Sequence, residues 1–352
     1  MKISDIDVNF RSKTSLAEED IQWFDSFTGA FQIHGASAPA SAPPFCRMAP
    51  GSLARMNEGV QHLAYHTSGI RLRFRTDSAF IALKAKLSSP DDMSHMPRTG
   101  SSGFDLYSRG DNWPVFVKSY MPDASSDVVT GEHHFREGGM KDVTICFPLY
   151  NGVEMLSVGL TKNAAVESAT PYRCTKPVVF YGSSITQGGC ASRPGNSYPA
   201  ILSRMLDTDI INLGFSGSAR GEQEMAEYIA SLDMSAFVLD YDHNAPTCGH
   251  LQDTHYRLYH AIRTRQPGLP ILMLSKPDFD HTSKQDIERR DIIFGTYNKA
   301  VQFGDTYVHF IDGEMLFGSS MRDSCTVDGV HPNDLGFMRM AEVICPVLKK
   351  LL

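Results

Sequence analysis

The carboxyl-terminal half carries the residue types that acyl transfer requires. In "VVFYGSSITQGG", residues 178–189, four apolar residues run into Gly182, Ser183 and Ser184. A serine hydroxyl attacks a carbonyl only when a neighbouring base takes its proton. "DGVHPNDLG", residues 328–336, offers His331 as that base, because imidazole titrates near neutral pH. Asp328, three residues earlier, reaches the other ring nitrogen if "DGVH" forms a turn, which fixes the tautomer and stabilises the imidazolium. A tetrahedral intermediate also needs hydrogen-bond donors for its oxyanion. The backbone N–H groups of Ser184 and Gly217 and the side-chain amide of Asn244 are the candidates. Glycine at 217 leaves no Cβ between backbone and substrate oxygen. Asp242 and His243, beside Asn244 in "DYDHNAP", are candidate substrate contacts. Ser183 and Ser184 taken alone read as caps of the next helix. Asn333, in the same segment as His331, is a capping signal for the last helix.

Positioning these groups requires a rim where distant loops meet. From about residue 172 the chain alternates near-continuous apolar strands with helical stretches. The strand candidates are "PVVFY" (177–181), "DIINLG" (209–214), "AFVLDY" (236–241), "PILMLS" (270–275) and "TYVHFID" (306–312). Their apolar continuity fits strands buried on both faces, and the alternation predicts a five-stranded parallel sheet between two helix layers. Functional groups of such sheets gather beyond the carboxyl ends of the strands, where each candidate segment lies. Residues 30–165 have period two instead. In "IRLRFRTDS", Ile70, Leu72 and Phe74 alternate with Arg71, Arg73 and Arg75, and "FIALKAKL", "DVTICF" and "MLSVGL" repeat the device. Short alternating strands with turn punctuation predict an antiparallel β-sandwich. The expected division is 1–170 for the sandwich and 171–352 for the α/β domain.

The totals exclude some functions. With 352 residues and a net charge of −7, the chain has no general electrostatic affinity for nucleic acid or anionic membrane. No apolar run approaches the roughly 20 residues of a membrane span. The start "MKISDIDVNFRSK" has no apolar signal core. Seven scattered cysteines without a C-x-x-C pair suit a reducing compartment, so a cytoplasmic location is expected. Glu132, His133 and His134 read as a polar strand end rather than a zinc site, since neighbouring strand residues point to opposite faces. His250, His255 and His260, every five residues, do not keep one helix face and read as structural. Trp113, in a sandwich loop, is a candidate sugar-stacking platform, although core or edge packing is the commoner use of such a residue.

The four segments, in this order and after these strands, resemble the SGNH (GDSL-type) hydrolase superfamily over residues 176–352. The usual Gly-Asp-Ser appears as Gly182-Ser183-Ser184, the second-block glycine as Gly217, the third-block asparagine as Asn244, and Asp-x-x-His as Asp328 and His331. Ser183 replaces the family's aspartate, and register favours Ser184 as nucleophile. "GFDLY", residues 103–107, is similar to the Gly-x-Asp-Leu-Tyr signature of a jelly-roll-like domain ahead of some of these hydrolases, and "FPLYNGVEMLSVGL" to that domain's end. The resemblance implies a flavodoxin-like α/β/α catalytic domain after a β-sandwich. It also implies a serine esterase that uses an acyl-enzyme and no metal or organic cofactor. The expected substrate is a small acyl ester, acetyl first, on plant-polysaccharide oligosaccharides such as mannan or xylan. An acyltransferase using the same residues is the alternative, as is an inactive carbohydrate-binding protein. Neither nucleic acid nor membrane is an expected partner, and a homo-oligomer stays open.

Overall fold

The computed structural model describes residue 6 and residues 20–38, 43–88, 93–109, 114–123, 126–277, 280 and 283–352. The period-two half folds as an antiparallel sandwich. One sheet orders β1 (Ile21–Asp25), β9 (Val153–Thr161), β4 (Phe80–Leu87) and β7 (Val128–His134). The other orders β10 (Val166–Glu167), β3 (Arg71–Thr76), β8 (Lys141–Cys146), β5 (Phe104–Arg109) and β6 (Pro114–Tyr120), with β2 (Gln32–His34) also paired to β3. Ile70, Leu72, Phe74, Ile81, Leu83 and Ala85 share one sealed core between the sheets, as the alternation predicts. Two short helices, α1 (Glu58–Leu63) and α2 (Arg98–Ser101), interrupt the strands.

The second half is a parallel sheet in the order β12 (Thr208–Gly214), β11 (Cys174–Gly182), β13 (Ala236–Asp240), β14 (Ile271–Leu274) and β15 (Val308–Ile311). Residues alternate between its two faces. Val178, Phe180 and Val238 pack on α4 (Tyr198–Leu206) and the closing helix α8 (Asp334–Leu351). Val179, Tyr181 and Leu239 pack on α5 (Gln223–Ala230), α6 (Cys248–Arg265) and α7 (Lys284–Gln302). The strand between them, β11, leads into α3 (Ser184–Gln187), the one-turn helix that opens the site. No described helix is long and apolar enough to cross a membrane.

The two halves are docked by buried polar contacts. Two arginines of β3, Arg71 and Arg73, are buried against the start of the α/β half, while Arg75 stays partly exposed beside Asp142 and Glu167. Arg71 pairs with Asp209 on β12, and Arg73 stacks 3.8 Å from the Tyr172 ring centroid. In "GFDLY", Leu106 points into the sandwich core while Asp105 reaches the other way. Asp105 is fully buried and accepts from the Gly195 N–H at 2.9 Å and from Arg193 at 3.1 Å. The Tyr107 hydroxyl also meets Arg193. Thus the signature's acid and phenol hold the segment at 193–195 from a neighbouring strand face.

Arg47 makes the deepest tie. Its guanidinium is wholly buried, and burial pulls its pKa down to about 9. It donates to the carbonyls of Asn212 and Gly214, both at 2.7 Å, and of Leu63 at 2.6 Å. Since β12 is the edge of the parallel sheet, two of these are edge carbonyls with no strand to pair them. Arg47→Ala leaves the Asn212 and Gly214 carbonyls without this donor, while the Leu63 carbonyl keeps the His66 N–H at 3.0 Å, and a loss of at least about 2 kcal/mol is expected. Denaturant unfolding measures it, and a change within about 0.5 kcal/mol would show that the side chain is not structural.

Candidate active site

Strand β11 ends at Gly182 for a steric reason. A Cβ there would lie 2.0 Å from Thr186 Oγ1 and 2.3 Å from the Asp240 carbonyl oxygen. This close approach lets the chain turn at once into α3. The two serines then divide. Ser183 is fully buried and is the N-cap, its hydroxyl accepting from the Ile185 N–H at 3.2 Å. Ser184, the first helical residue, points the other way, and its Oγ lies 2.9 Å from His331 Nε2.

His331 is delivered by a stapled loop. Thr326 bridges Pro332, and the Val327 N–H donates to the His331 carbonyl at 2.9 Å. Asn333 caps α8 by accepting from the N–H groups of Leu335 and Gly336, as its place in the sequence predicts. Asp328 Oδ2 lies 2.7 Å from His331 Nδ1, and its Oδ1 accepts the N–H groups of His331 at 2.7 Å and Val330 at 3.0 Å. The expected "DGVH" turn therefore forms. Partial burial raises the Asp328 pKa, but these bonds outweigh it and hold the carboxyl down at about 2. The carboxylate is ionised throughout the neutral range.

Three expected donors border the same rim. The Ser184 N–H is at the start of a helix and has no intrahelical acceptor. Gly217 takes φ +67°, a left-handed conformation that disfavours a side chain, and a Cβ there would meet nothing within 4 Å. Its glycine thus serves the turn and leaves the space in front open. Asn244 lies in a 3₁₀ turn and anchors one amide hydrogen on the Phe215 carbonyl at 2.8 Å, which leaves the second to donate elsewhere. Gln187 locks the pieces together. Its side chain accepts from the Ser216 N–H at 2.9 Å and donates to the Leu149 carbonyl at 3.1 Å.

Other expectations change. Asp242 is buried, and its two oxygens accept the N–H groups of His243 and Lys276 at 2.8 and 3.0 Å. Its role is to hold the Asn244 turn, in place of the substrate contact expected from sequence. His243 has a buried Nε2 without a protein partner among the described residues. Burial, ahead of Lys276 and His331, lowers its pKa. Trp113 lies outside the described residues. His133 and His134 end β7, as a polar strand end should, and His255 is buried against Thr296.

Sequence reasoning missed four contributors. Tyr150, from the end of the sandwich, lies with its hydroxyl 3.3 Å from the Ser184 carbonyl oxygen. Its place in "FPLYNG" was the available signal. His95 brings its ring centroid within 5.8 Å of that of His331, with no motif to mark it. Asn212 donates to the Thr186 carbonyl at 2.7 Å and so ties α3 to β12. Asp240, buried beneath the turn from β11 into α3, accepts from the hydroxyls of Tyr198 at 2.8 Å and Thr186 at 2.9 Å. Burial, then the nearby Asp242, raises its pKa to about 8. For metal binding, one His/Cys group converges among the described residues, and it includes His331 itself.

Comparison with known proteins accords with this geometry. Residues 175–349 match the model of the GDSL-like lipase/acylhydrolase family. Residues 21–166 match the GxDLY model, the N-terminus of SGNH-hydrolase-type esterases. A structure described as a GDSL-like lipase from Bacteroides ovatus superposes with TM-score 0.83 at 27% identity, covering 94% of this chain and 98% of its own. The salicylyl-acyltransferase SsfX3 of a tetracycline biosynthetic pathway gives 0.76 at 20% identity, covering 95% and 98%. The acetyl xylan esterase Est2A of Butyrivibrio proteoclasticus gives 0.61 at 12% identity, covering 94% and 98%, and shares the fold. No curated protein sequence matches the chain significantly.

The Asp240 shift has a measurable sign. A carboxyl whose folded pKa is raised binds a proton in the native state that the unfolded chain releases. Its stabilising contribution is full below the ordinary carboxylate range near 4 and is lost as pH climbs towards about 8. Asp240→Asn is therefore expected to flatten that part of the stability–pH curve, read as denaturation midpoints from pH 4 to 8. Parallel curves for the two proteins would show that Asp240 is ionised throughout.

Proposed function

We propose, for a chain that belongs to the SGNH/GDSL hydrolases and is a carboxylic ester hydrolase, that it removes small acyl groups, acetyl first, from carbohydrate hydroxyls. The observation that carries the reading is the relay from Asp328 through His331 to Ser184, at 2.7 and 2.9 Å. In this reading His331 Nε2 takes the Ser184 proton as Oγ adds to the ester carbonyl. Asp328 holds the Nδ1 tautomer and balances the imidazolium. The developing oxyanion is met by the Ser184 and Gly217 N–H groups and the Asn244 amide. His331 then protonates the departing sugar oxygen. Water, activated by the same ring, releases the acid from the acyl-enzyme.

The preference for a small acyl group on a larger alcohol rests on exposure. The triad lies at the surface, with the Asp328 side chain 38% exposed and that of His331 24%. An open rim admits a bulky alcohol, and the shared fold with an acetyl xylan esterase is consistent with a sugar. Product analysis on acetylated xylan, mannan and pectin oligosaccharides tests this directly. Free acetate is the expected product. Transfer to an added alcohol in preference to water would replace hydrolysis by acyl transfer, and deacetylation of none of the panel would remove the carbohydrate assignment.

The division of labour between the serines is testable separately. Ser184→Ala is expected to lower turnover of a simple acetate ester by about 10⁶. Ser183→Ala is expected to keep most turnover and to lose about 1 kcal/mol of stability, the value of an N-cap. The reverse pattern of activities would make Ser183 the nucleophile.

A further inference from the structure

The imidazole of the relay is also one corner of a triangle that the acyl-transfer reading does not use. His95, Cys190 and His331 each offer one ligand atom, and the three atoms lie within 4.8 Å of one another. They come from unrelated parts of the chain. His95 lies just before α2 in the sandwich half and is exposed. Cys190 follows Gly188-Gly189 at the end of the serine segment and is held at φ +72°, a left-handed conformation uncommon for a residue with a side chain. The residue is 4% exposed, and its thiol has no partner cysteine, for all seven cysteines are free. A Cβ added at Gly189 would lie 3.3 Å from His331 Cδ2, so this loop packs close to the ring.

We propose that His95, Cys190 and His331 form a binding site for a borderline-soft divalent cation of the zinc class, and that occupation switches the esterase site off. The donor set, two imidazoles and a thiol, is one that selects zinc over magnesium or calcium. Ligands at about 2.0–2.3 Å from a tetrahedral zinc sit roughly 3.4–3.6 Å apart. The edges of the triangle, none longer than 4.8 Å, therefore contract by at most about 1 Å, and rotation of the exposed His95 side chain adjusts the two edges that it makes. The relay has already prepared the key ligand. Asp328 on Nδ1 of His331 leaves the Nε2 lone pair directed outward, and a carboxylate–imidazole pair of that kind is the usual support of a zinc-bound histidine. In the resting site this lone pair accepts the Ser184 hydroxyl. Metal and serine compete for it, so the bound cation removes the general base.

Cys190 binds with release of its proton to solvent. A metal-bound cysteine is a thiolate, so the cation displaces the thiol proton. No redox step is involved.

Binding and inhibition can be read independently on the full chain. Metal-free protein is titrated with Zn²⁺ while turnover of a small acetate ester is followed, and with Co²⁺ while the absorption spectrum is recorded. One equivalent of Zn²⁺ is expected to abolish turnover, with recovery on adding a chelator and no response to Mg²⁺ or Ca²⁺. Co²⁺ is expected to give tetrahedral visible bands with a thiolate charge-transfer band in the near ultraviolet. His95→Ala is expected to bind Co²⁺ and Zn²⁺ at least about tenfold more weakly, read from the metal titration itself whatever its turnover. Cys190→Ser is expected to lose the near-ultraviolet band. Inhibition of equal strength in wild type and His95→Ala, or a thiolate band that survives Cys190→Ser, would overturn the site. The Co²⁺ spectrum is also taken on Ser184→Ala, which needs no turnover. A spectrum there with no esterase activity in the wild type sinks the function and keeps the site, while turnover without a spectrum does the opposite.

Discussion

The 2.9 Å contact between Ser184 Oγ and His331 Nε2 joins residues 147 positions apart, and most of the rim is arranged to keep it. Neither partner is held by its own element alone. Ser184 begins a helix of four residues, too short to be stable by itself. That helix is fixed by the Asn212 amide on the Thr186 carbonyl, by Thr186 on Asp240, and by Gln187 spanning to the sandwich. His331 sits on a loop whose conformation comes from the Asp328 turn and the Asn333 cap. The contact is short because the buried polar bonds behind it have few alternatives. An unpaired amide or carboxyl at those depths is costly, so each bond is strongly enforced.

The sandwich belongs to the same constraint. Through Asp105, Tyr107, Arg71 and Arg47 it holds the segment at 193–195 and the free edge of β12. Arg47 acts at the point where β12 gives way to the Gly217 turn, and it lies 4.6 Å from the ring centroid of Phe215. The Phe215 carbonyl in turn fixes Asn244. A chain of contacts thus runs from a sandwich-side arginine to two of the expected oxyanion donors. Tyr150 and His95 add side chains from the same half beside the relay. The sandwich is therefore a wall of the site as well as a cover for apolar surface.

Much of this was legible in residue types and their order. Ser184, Asp328, His331, Gly217 and Asn244 occupy segments that follow apolar strands, and a parallel sheet brings the carboxyl ends of its strands together whatever the spacing along the chain. The register of the family resemblance also favoured Ser184 over Ser183 as the nucleophile, while the capping role of Ser183 alone is seen in the structure. The illegible part consists of single long side chains that cross between halves. Arg47 stands in "FCRMAP", where no periodicity or motif marks a buried charge. The arginines of β3 alternate as surface residues would, and only the docking of the second domain shows that Arg71 and Arg73 are interior. Asp242 looked like a cleft residue because it adjoins Asn244, yet the 3₁₀ turn rotates it inward. Helices such as α1, with six residues, are too short for a hydrophobic period to emerge.

Two aspartates near the serine show how environment assigns charge. Asp328 is partly exposed and receives two backbone N–H groups and a ring nitrogen, so its carboxyl falls to about 2. Asp240 is sealed beneath the turn and meets two hydroxyls, with Asp242 close by, so its carboxyl rises to about 8. One residue type is thereby ionised at the rim and protonated under it near neutral pH. The arrangement suits a reaction that builds negative charge on the substrate oxygen. The rim carboxylate is balanced by the imidazolium that forms beside it. A second ionised carboxylate below Ser184, with no cation to answer it, would oppose the oxyanion through a low-dielectric interior where such repulsion is weakly screened. Keeping Asp240 neutral removes one such opposing charge from beneath the Ser184 N–H, where the negative charge develops.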